Sequence, residues 1–538
     1  MSHRRTLVLL AITCAVFAGI GPTHAAAAGR SAPSFHAPSR ADDPSISGSG
    51  HYASEPATVV AADGTRYVAN QLGSQLSYTR DGGRSWTHVG GQDMLSRNID
   101  PASCQSQSDI GDVDLTADAT GRVYFADLQL TNNSGANGAD TGIEPVVGRS
   151  DDRFSHYTGE CAAHQPASVD REWMAAYAPV GAPAGSSDVY LSYHDFSINT
   201  IWVNASHDGG RTWSQPVDVI NDPAALNASA CDTVPAGTAV DPRNGWIYVA
   251  WTAGSNALSN AVTGCNYTQG AVFNQFWVAV SKDGGRTWTD SLAFAGPDVT
   301  AATPSDMSEI FGSISVARSG DVYIAFPAYL HGEYDVYAAY SSPAGATNHL
   351  NFAAPVKVNG PDTHTNYFAR IVAGDRGRVD VIYLGSPVRN VVSTAQNKLT
   401  YDGSDSTKPN CQPETSDPGG KGVRFLGKPC EMPASAPWYL YLAQSINLTS
   451  ASATFTPVQL RSDPVHVGDI CTLGIFCLGD DNRDLADTND VKIDATGAAQ
   501  VAYTAETPDG TRNQIDFQCQ SGGTGLYAGV KVVDCQRH

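Results

Sequence analysis

Three stretches of eight residues are nearly the same sentence: Thr79-Arg-Asp81-Gly-Gly83-Arg-Ser-Trp86, Ser206-His-Asp208-Gly-Gly210-Arg-Thr-Trp213 and Ser281-Lys-Asp283-Gly-Gly285-Arg-Thr-Trp288. A worn fourth copy reads Ser150-Asp-Asp152-Arg-Phe154-Ser-His-Tyr157. Each follows a short alternating run, such as Phe276-Trp-Val-Ala-Val280, and precedes another extended run. The physics of the octet is that of a hairpin turn. A short aspartate side chain accepts hydrogen bonds from the N–H groups of its own turn. The two glycines supply positive φ, and the tryptophan folds back as an apolar plug. One copy would mean little, because Asp-Gly-Gly turns are common. Three full copies at regular spacing demand a repeat architecture of short antiparallel strands.

A second unit recurs between the octets: a run, an Asp/Gly turn, then a strand of aromatic and β-branched residues. It reads Val113–Ala126, returns as Thr238–Ala250 and Ile314–Ala325, and reappears as Val491–Ala502 after the octets have faded. Unit starts fall near Glu55, Asp112, Asp170, Asp232, Glu309, Tyr367 and Asp490, which gives seven candidate units. The count is six if the first or the sixth is not a true unit. No segment shows sustained helical periodicity. Four-stranded sheets set radially leave only short edges, so the expectation is an all-β, seven-bladed β-propeller.

The amino end reads as an export signal over residues 1–28. Arg4 and Arg5 precede an apolar run from Leu7 to Ile20, then small residues near Ala25–Ala28. Residues 29–50 form a Ser/Pro/Gly-rich leader, and 51–538 the propeller, with a Pro/Gly-rich stapled insertion near 390–437. No second apolar run of membrane-spanning length follows. Cys14 leaves with the signal, so of 11 cysteines ten remain. An even number in an exported chain favours disulfides. Cys471/Cys477, Cys411/Cys430, Cys231/Cys265 and Cys519/Cys535 are neighbours along the chain, leaving Cys104 and Cys161. The formal charge is −21, and −23 after the loss of two arginines, which disfavours nucleic acid.

The octets match the Asp-box (BNR) motif, S/T-x-D-x-G-x-x-W, and the chain resembles the sialidase superfamily along nearly all of its mature length. The resemblance implies the propeller fold firmly and an activity only loosely, because Asp boxes sit on outer turns far from the axis. A sialidase resembles a stricter template, with three arginines clamping the sugar carboxylate, a Tyr–Glu nucleophile pair and an aspartic proton donor. The arginine-isoleucine-proline signature that usually opens the sialidase domain is missing here. Its nearest counterpart, Phe368-Ala-Arg370-Ile371-Val372, lies late in the chain and lacks the proline.

The unit starts aim a ring of acids at one end of the central channel: Glu55, Asp112, Asp170 with Glu172, Asp232, Glu309, and Asp487 or Asp490. Acids brought that close require raised pKa values, a cation or arginine partners. Arg171, Arg370 and Arg483 are the nearest candidates. Three readings compete: a glycosidase site, a Ca²⁺ site, and a structural set of caps on backbone N–H groups. On the glycosidase reading Asp112, Asp170, Glu172, Glu309, Tyr367 and Arg370 are catalytic. Arg171, Asp232, His364, Arg483 and Asp490 then hold substrate. No cofactor is implied beyond a structural Ca²⁺. His194-Asp195 reads as a hydrogen-bonded pair before a proton shuttle. The acidic stretch Asp480–Asp484 lacks EF-hand spacing and reads as a solvated loop. The function expected is a secreted glycoside hydrolase, exo-α-sialidase-like, acting on an extracellular glycan or glycoprotein. A non-catalytic propeller that binds glycan or protein is the alternative, and the oligomeric state is left open.

Overall fold

The computed structural model describes residues 31–46, 53–71, 74–91, 93–100, 103–133, 140–162, 169–195, 197–230, 233–254, 273–297, 307, 311–390, 399–401, 411–413, 432–470, 472 and 485–537. Within the unit Ala32–His538, strands run up and down in groups of four. Ala57–Val60, Arg66–Asn70, Gln75–Thr79 and Thr87–Val89 form one antiparallel sheet, paired in chain order. Gln105–Ala117, Val123–Asn133, Asp140–Ser150 and Thr158–Cys161 form the next. Val169–Tyr177 opens a third, with Asp188–Asp195, Thr200–Ser206 and Val217–Asp218. Thr233–Val240 opens a fourth, with Ile247–Ala253, Gln275–Ser281 and Thr289–Ala295.

The strands from Ser313 to Gln459 make two more groups of this kind, beginning at Ser313–Val316 and Thr365–Ala373. A parallel pair, Tyr334 beside Thr365, joins them into one nine-stranded sheet. The last group is Asp490–Ile493, Ala499–Glu506 and Asn513–Gly522. It is completed from the other end of the chain, where Ser34–Phe35 and Ser39–Arg40 pair antiparallel with Asn513–Gly522. The first strand of every group touches the first strand of the next, and Asp490–Ile493 touches Ala57–Val60. The innermost strands therefore close a circle, a propeller-type arrangement.

Second strands show why this sequence stacks its sheets. Ile247–Ala253 is buried along its whole length. Tyr248 and Ala250 pack with Phe276 and Ile324 on one face, while Ile247, Val249 and Trp251 pack with Tyr190 and Val203 on the other. Alternate side chains thus belong to two different cores, each buried large apolar group contributing about 1.5–3 kcal/mol. Val123 and Phe125 are divided in the same way from Tyr124, Ala126 and Leu128.

The octets join third strands to fourth strands, at the outer side of their sheets. In the first, Asp81 Oδ1 accepts from Ser85 N at 3.0 Å and Asp81 Oδ2 from Ser85 Oγ at 2.6 Å. Thr79 Oγ1 accepts from Gly83 N at 3.0 Å and donates to Asp81 at 2.8 Å. The same bonds recur around Asp208 and Asp283. Gly82 stands at φ 69°, and a Cβ there would lie 2.4 Å from the Cys535 carbonyl oxygen, so glycine is required on both counts. The worn copy keeps the hydrogen bonds through Ser150, Asp152 and His156. It holds Arg153 and Phe154 at φ 59° where the others have glycine.

Helix is confined to short pieces among the described residues. Pro223–Ser229 is started by Asp222, whose side chain accepts from Ala224 N, with proline in the first turn. A 3₁₀ turn covers Leu95–Arg97. No described helix is long and apolar enough to cross a membrane. Among the described residues two disulfides are formed, Cys104–Cys161 and Cys519–Cys535. The pairings expected of Cys231/Cys265, Cys411/Cys430 and Cys471/Cys477 lie outside the described residues, as does most of the insertion near 390–437.

Candidate functional site at the channel mouth

The innermost strands are irregular at their starting ends. Register shifts fall between Asp109 and Val113, Asp170 and Glu172, Pro235 and Gly237, and Tyr367 and Arg370. Residues with side chains are held at positive φ beside several of these starts: Glu55 at 47°, Arg171 at 33°, Phe368 at 58° and Ala486 at 51°. Each such residue costs on the order of 1–2 kcal/mol. Bulges re-aim side chains, and such strain gathers where function requires it.

What they bring together is a buried group of acids around one guanidinium. Arg171 Nη1 lies 3.3 Å from Glu55 Oε2 and 3.8 Å from Asp112 Oδ1. Gln71 Nε2 donates to Asp112 Oδ1 at 3.2 Å, and Asp487 N donates to Glu55 Oε1 at 3.0 Å. Asp112 also lies close enough to the carboxyl groups of Glu55 and Asp170 to raise the pKa of both. Carboxyl groups brought that close cannot all stay ionised, so each makes its neighbours harder to ionise. Burial first, and then the neighbouring Asp112 charge, push Glu55, Asp170 and Glu172 well above the usual carboxylate range. Burial works against the Arg171 charge, yet Asp112, Glu55, Glu172 and Asp114 outweigh it and raise its pKa. Glu172 is 0 % exposed, and its own backbone N–H acts on its carboxyl group.

Below this group lies a stacked floor. The Trp173 ring carries the guanidinium carbon of Arg171 at 4.0 Å and that of Arg370 at 4.1 Å, with Phe311 edge-on at 5.9 Å. Trp173 and Arg370 also line a cavity of about 230 Å³, with Asp114, Asp490, Lys492, Thr238 and Ser315 among its other walls. Several of these side chains stitch neighbouring inner strands together. Asp114 Oδ2 accepts from Met174 N at 2.6 Å, Asp490 Oδ2 from Thr58 N at 2.9 Å, and Ser315 Oγ from Ala373 N at 3.1 Å. Asp490 also pairs with Lys492 at 3.0 Å and Arg370 at 3.5 Å. The ring of acids is therefore two sets: Glu55, Asp112, Asp170 and Glu172 crowd the mouth, while Asp114 and Asp490 hold strands.

The remaining expected site residues divide plainly. Asp232, Glu309 and Arg483 lie outside the described residues. Tyr367 is not brought to the mouth: it is buried in an apolar core, stacked on Trp438 at 5.3 Å, with its hydroxyl bonded to Asn390. The register shift between Tyr367 and Arg370 turns the tyrosine into that core. His364 is also elsewhere, in an ion-pair group with Glu333, which further engages Arg389 and Lys357. His194 is fully buried and pulled down to about 4 by that burial, which leaves it neutral and unsuited to shuttling protons near neutrality. Asp114, Lys492, Gln71 and Phe311 were not singled out from sequence. For the first two a signal existed: each stands two residues after a chosen acid, Asp112 or Asp490, and a strand has period two.

Among the described residues, three or more metal-capable side chains converge only at His36/Asp534/Cys535 and at Cys104/Glu144/Cys161. In both groups the cysteines are tied up in disulfides. No protein-family model matches the chain, and no curated protein matches it. Solved structures similar to it include an ulvan lyase of polysaccharide lyase family PL25, at 10% identity and TM-score 0.44, covering 92% of this chain and 94% of the other. A GH93 α-L-arabinofuranosidase of Fusarium graminearum follows at 14% identity and TM-score 0.38, covering 65% and 93%. An α-L-arabinanase of Penicillium chrysogenum stands at 12% identity and TM-score 0.39, covering 66% and 94%.

Proposed function

We propose that this chain is a secreted, seven-bladed Asp-box propeller that hydrolyses glycosidic bonds of extracellular glycans with its mouth carboxyl groups. The observation that carries the reading is the crowding of Glu55, Asp112 and Asp170 together beside Arg171. Glycoside hydrolysis needs a carboxylic acid that keeps its proton near neutrality and a second carboxylate that is ionised. Asp170 is the part-exposed member with a raised pKa, and takes the role of proton donor. Asp112 is held by Arg171 and Gln71 and supplies the carboxylate. Glu55 lies behind it, fixed by Asp487 N. A sialidase reading is less well supported. Tyr367 is in the core, and Arg171 and Arg370 already face carboxylates.

The test is turnover on a broad panel of glycosides by the exported form. Asp170→Asn and Asp112→Asn should each lower kcat/KM by about 100-fold or more. Asp208→Asn, in an outer turn, should leave it unchanged. Full activity in both mouth variants would remove the reading. A binding propeller is the rival, favoured by the burial of Glu55 and Glu172 away from solvent. It predicts glycan retention without turnover.

A further inference from the structure

One tryptophan holds two buried cations. Arg171 reaches its acids through a single nitrogen: Nη1 donates to Glu55 Oε2 at 3.3 Å and faces Asp112 Oδ1 at 3.8 Å. Its Nε has no hydrogen-bond partner. A guanidinium bound through both prongs of its fork is fixed in direction, whereas one bound through one nitrogen can swing. The backbone gives no help, because Arg171 stands at a φ of 33°, a strained conformation that persists where the surroundings impose it. What holds the group is an aromatic face. The Trp173 ring, 3 % exposed, lies 4.0 Å from the Arg171 guanidinium carbon, and Phe311 adds a second ring at 5.6 Å. The same Trp173 ring lies 4.1 Å from the Arg370 guanidinium carbon, although the two cations repel. The electron-rich face of an indole attracts cations most strongly where water is excluded.

We infer that Trp173 is the positioning residue of the mouth: its face fixes the Arg171 guanidinium beside Glu55, Asp112 and Glu172, and so sets which of these acids carry charge. The inference rests on the hydrolase reading for its consequence in turnover, though not for its test. Arg171 is faced by Glu55 from the segment before Ala57–Val60, by Asp112 and Asp114 on Gln105–Ala117, by Glu172 on its own strand and by Arg370 on Thr365–Ala373. Its charge opposes the rise that burial and Asp112 impose on Glu55 and Glu172. A guanidinium that drifts away lets both acids go higher and stay neutral to a higher pH. A carboxyl group raised in the fold costs stability above its unfolded value, about pH 4.3, and a further rise extends that cost upward in pH. A ring that merely fills space has no such pH dependence.

The test replaces Trp173 by tetrafluorotryptophan, which keeps the shape of the ring and withdraws electron density from its face. The melting temperature should then fall by at least about 2 °C more at pH 8 than at pH 4. Trp251 is the control: it is fully buried and stacked on Trp277, with no cation on its face among the described residues. The same replacement there should act equally at both pH values. Trp173→Phe, which keeps an aromatic face, should show a smaller pH-dependent loss than Trp173→Leu. On any glycoside that the protein turns over, the fluorinated protein should lose about tenfold or more in kcat/KM at pH 7. The acid limb of its pH profile should move to higher pH. A fall in melting temperature that is equal at pH 4 and pH 8 overturns the inference. The pH-dependent fall without turnover of any glycoside retains the inference and removes the hydrolase reading. Turnover with pH-independent melting does the reverse.

Discussion

Aspartates at the rim of this molecule and acids at its hub have the same chemistry and opposite environments. At the rim, burial is the largest single influence on Asp81, Asp208 and Asp283 and pushes their pKa values up. Hydrogen bonds from their own turns outweigh that and hold them below the usual range. Asp152, bonded first of all by His156, is lowered to about 2. At the hub, burial dominates and like charges add to it, so Glu55, Asp170 and Glu172 are raised. The rim acids serve the fold as anions, and the hub acids are held against their preference. The lesson is that an acid's role follows from the number of donors that its local backbone supplies.

Substitution can break that contrast, and the largest effect should come from Arg171→Met. It removes the cation among four carboxyl groups and should destabilise the fold by about 3–5 kcal/mol, read by denaturant melts at pH 7. Next is Glu172→Gln. A carboxyl group raised in the fold costs stability once the unfolded chain can ionise, above about pH 4.3, and the cost grows as pH rises towards the folded value. The variant should match the parent at pH 4 and exceed it in melting temperature at pH 8. A parent more stable than the variant at pH 8 would reverse the assignment. At the rim the sign inverts. Asp208→Ala strips acceptors from Arg211 N, Thr212 N and Thr212 Oγ1, and should cost about 1–2 kcal/mol at pH 7. The smallest change should be a gain. Arg153→Gly relieves a left-handed backbone in the worn turn, and should add about 0.5–1 kcal/mol after loss of the exposed Asp63 pair.

The rim was readable from sequence because everything that makes an octet turn lies within eight consecutive residues. The hydrogen bonds of Thr79, Asp81 and Ser85 need no distant partner to be foreseen. The hub was readable only in part. Asp112, Asp170 and Glu172 lie at or beside the bulges of inner strands, and the repeat was enough to assign them to those strands. Tyr367 did not, since a bulge and a positive φ at Phe368 change which face a side chain takes, and one residue of slip sends it into a core. The partition of acids between mouth and strand stitching was also beyond the sequence. It depends on which neighbouring N–H lies across the gap, as Thr58 N does from Asp490.

The joint where Ser34–Phe35 and Ser39–Arg40 lie against Asn513–Gly522 has a consequence for how the protein is made. A chain synthesised from its amino end delivers these two partners far apart in time. The early strands must wait unsatisfied until the residues between them have been made, and such distant contacts form slowly. The circle is thus completed as a late event of folding, when Asn513–Gly522 takes up its distant partners.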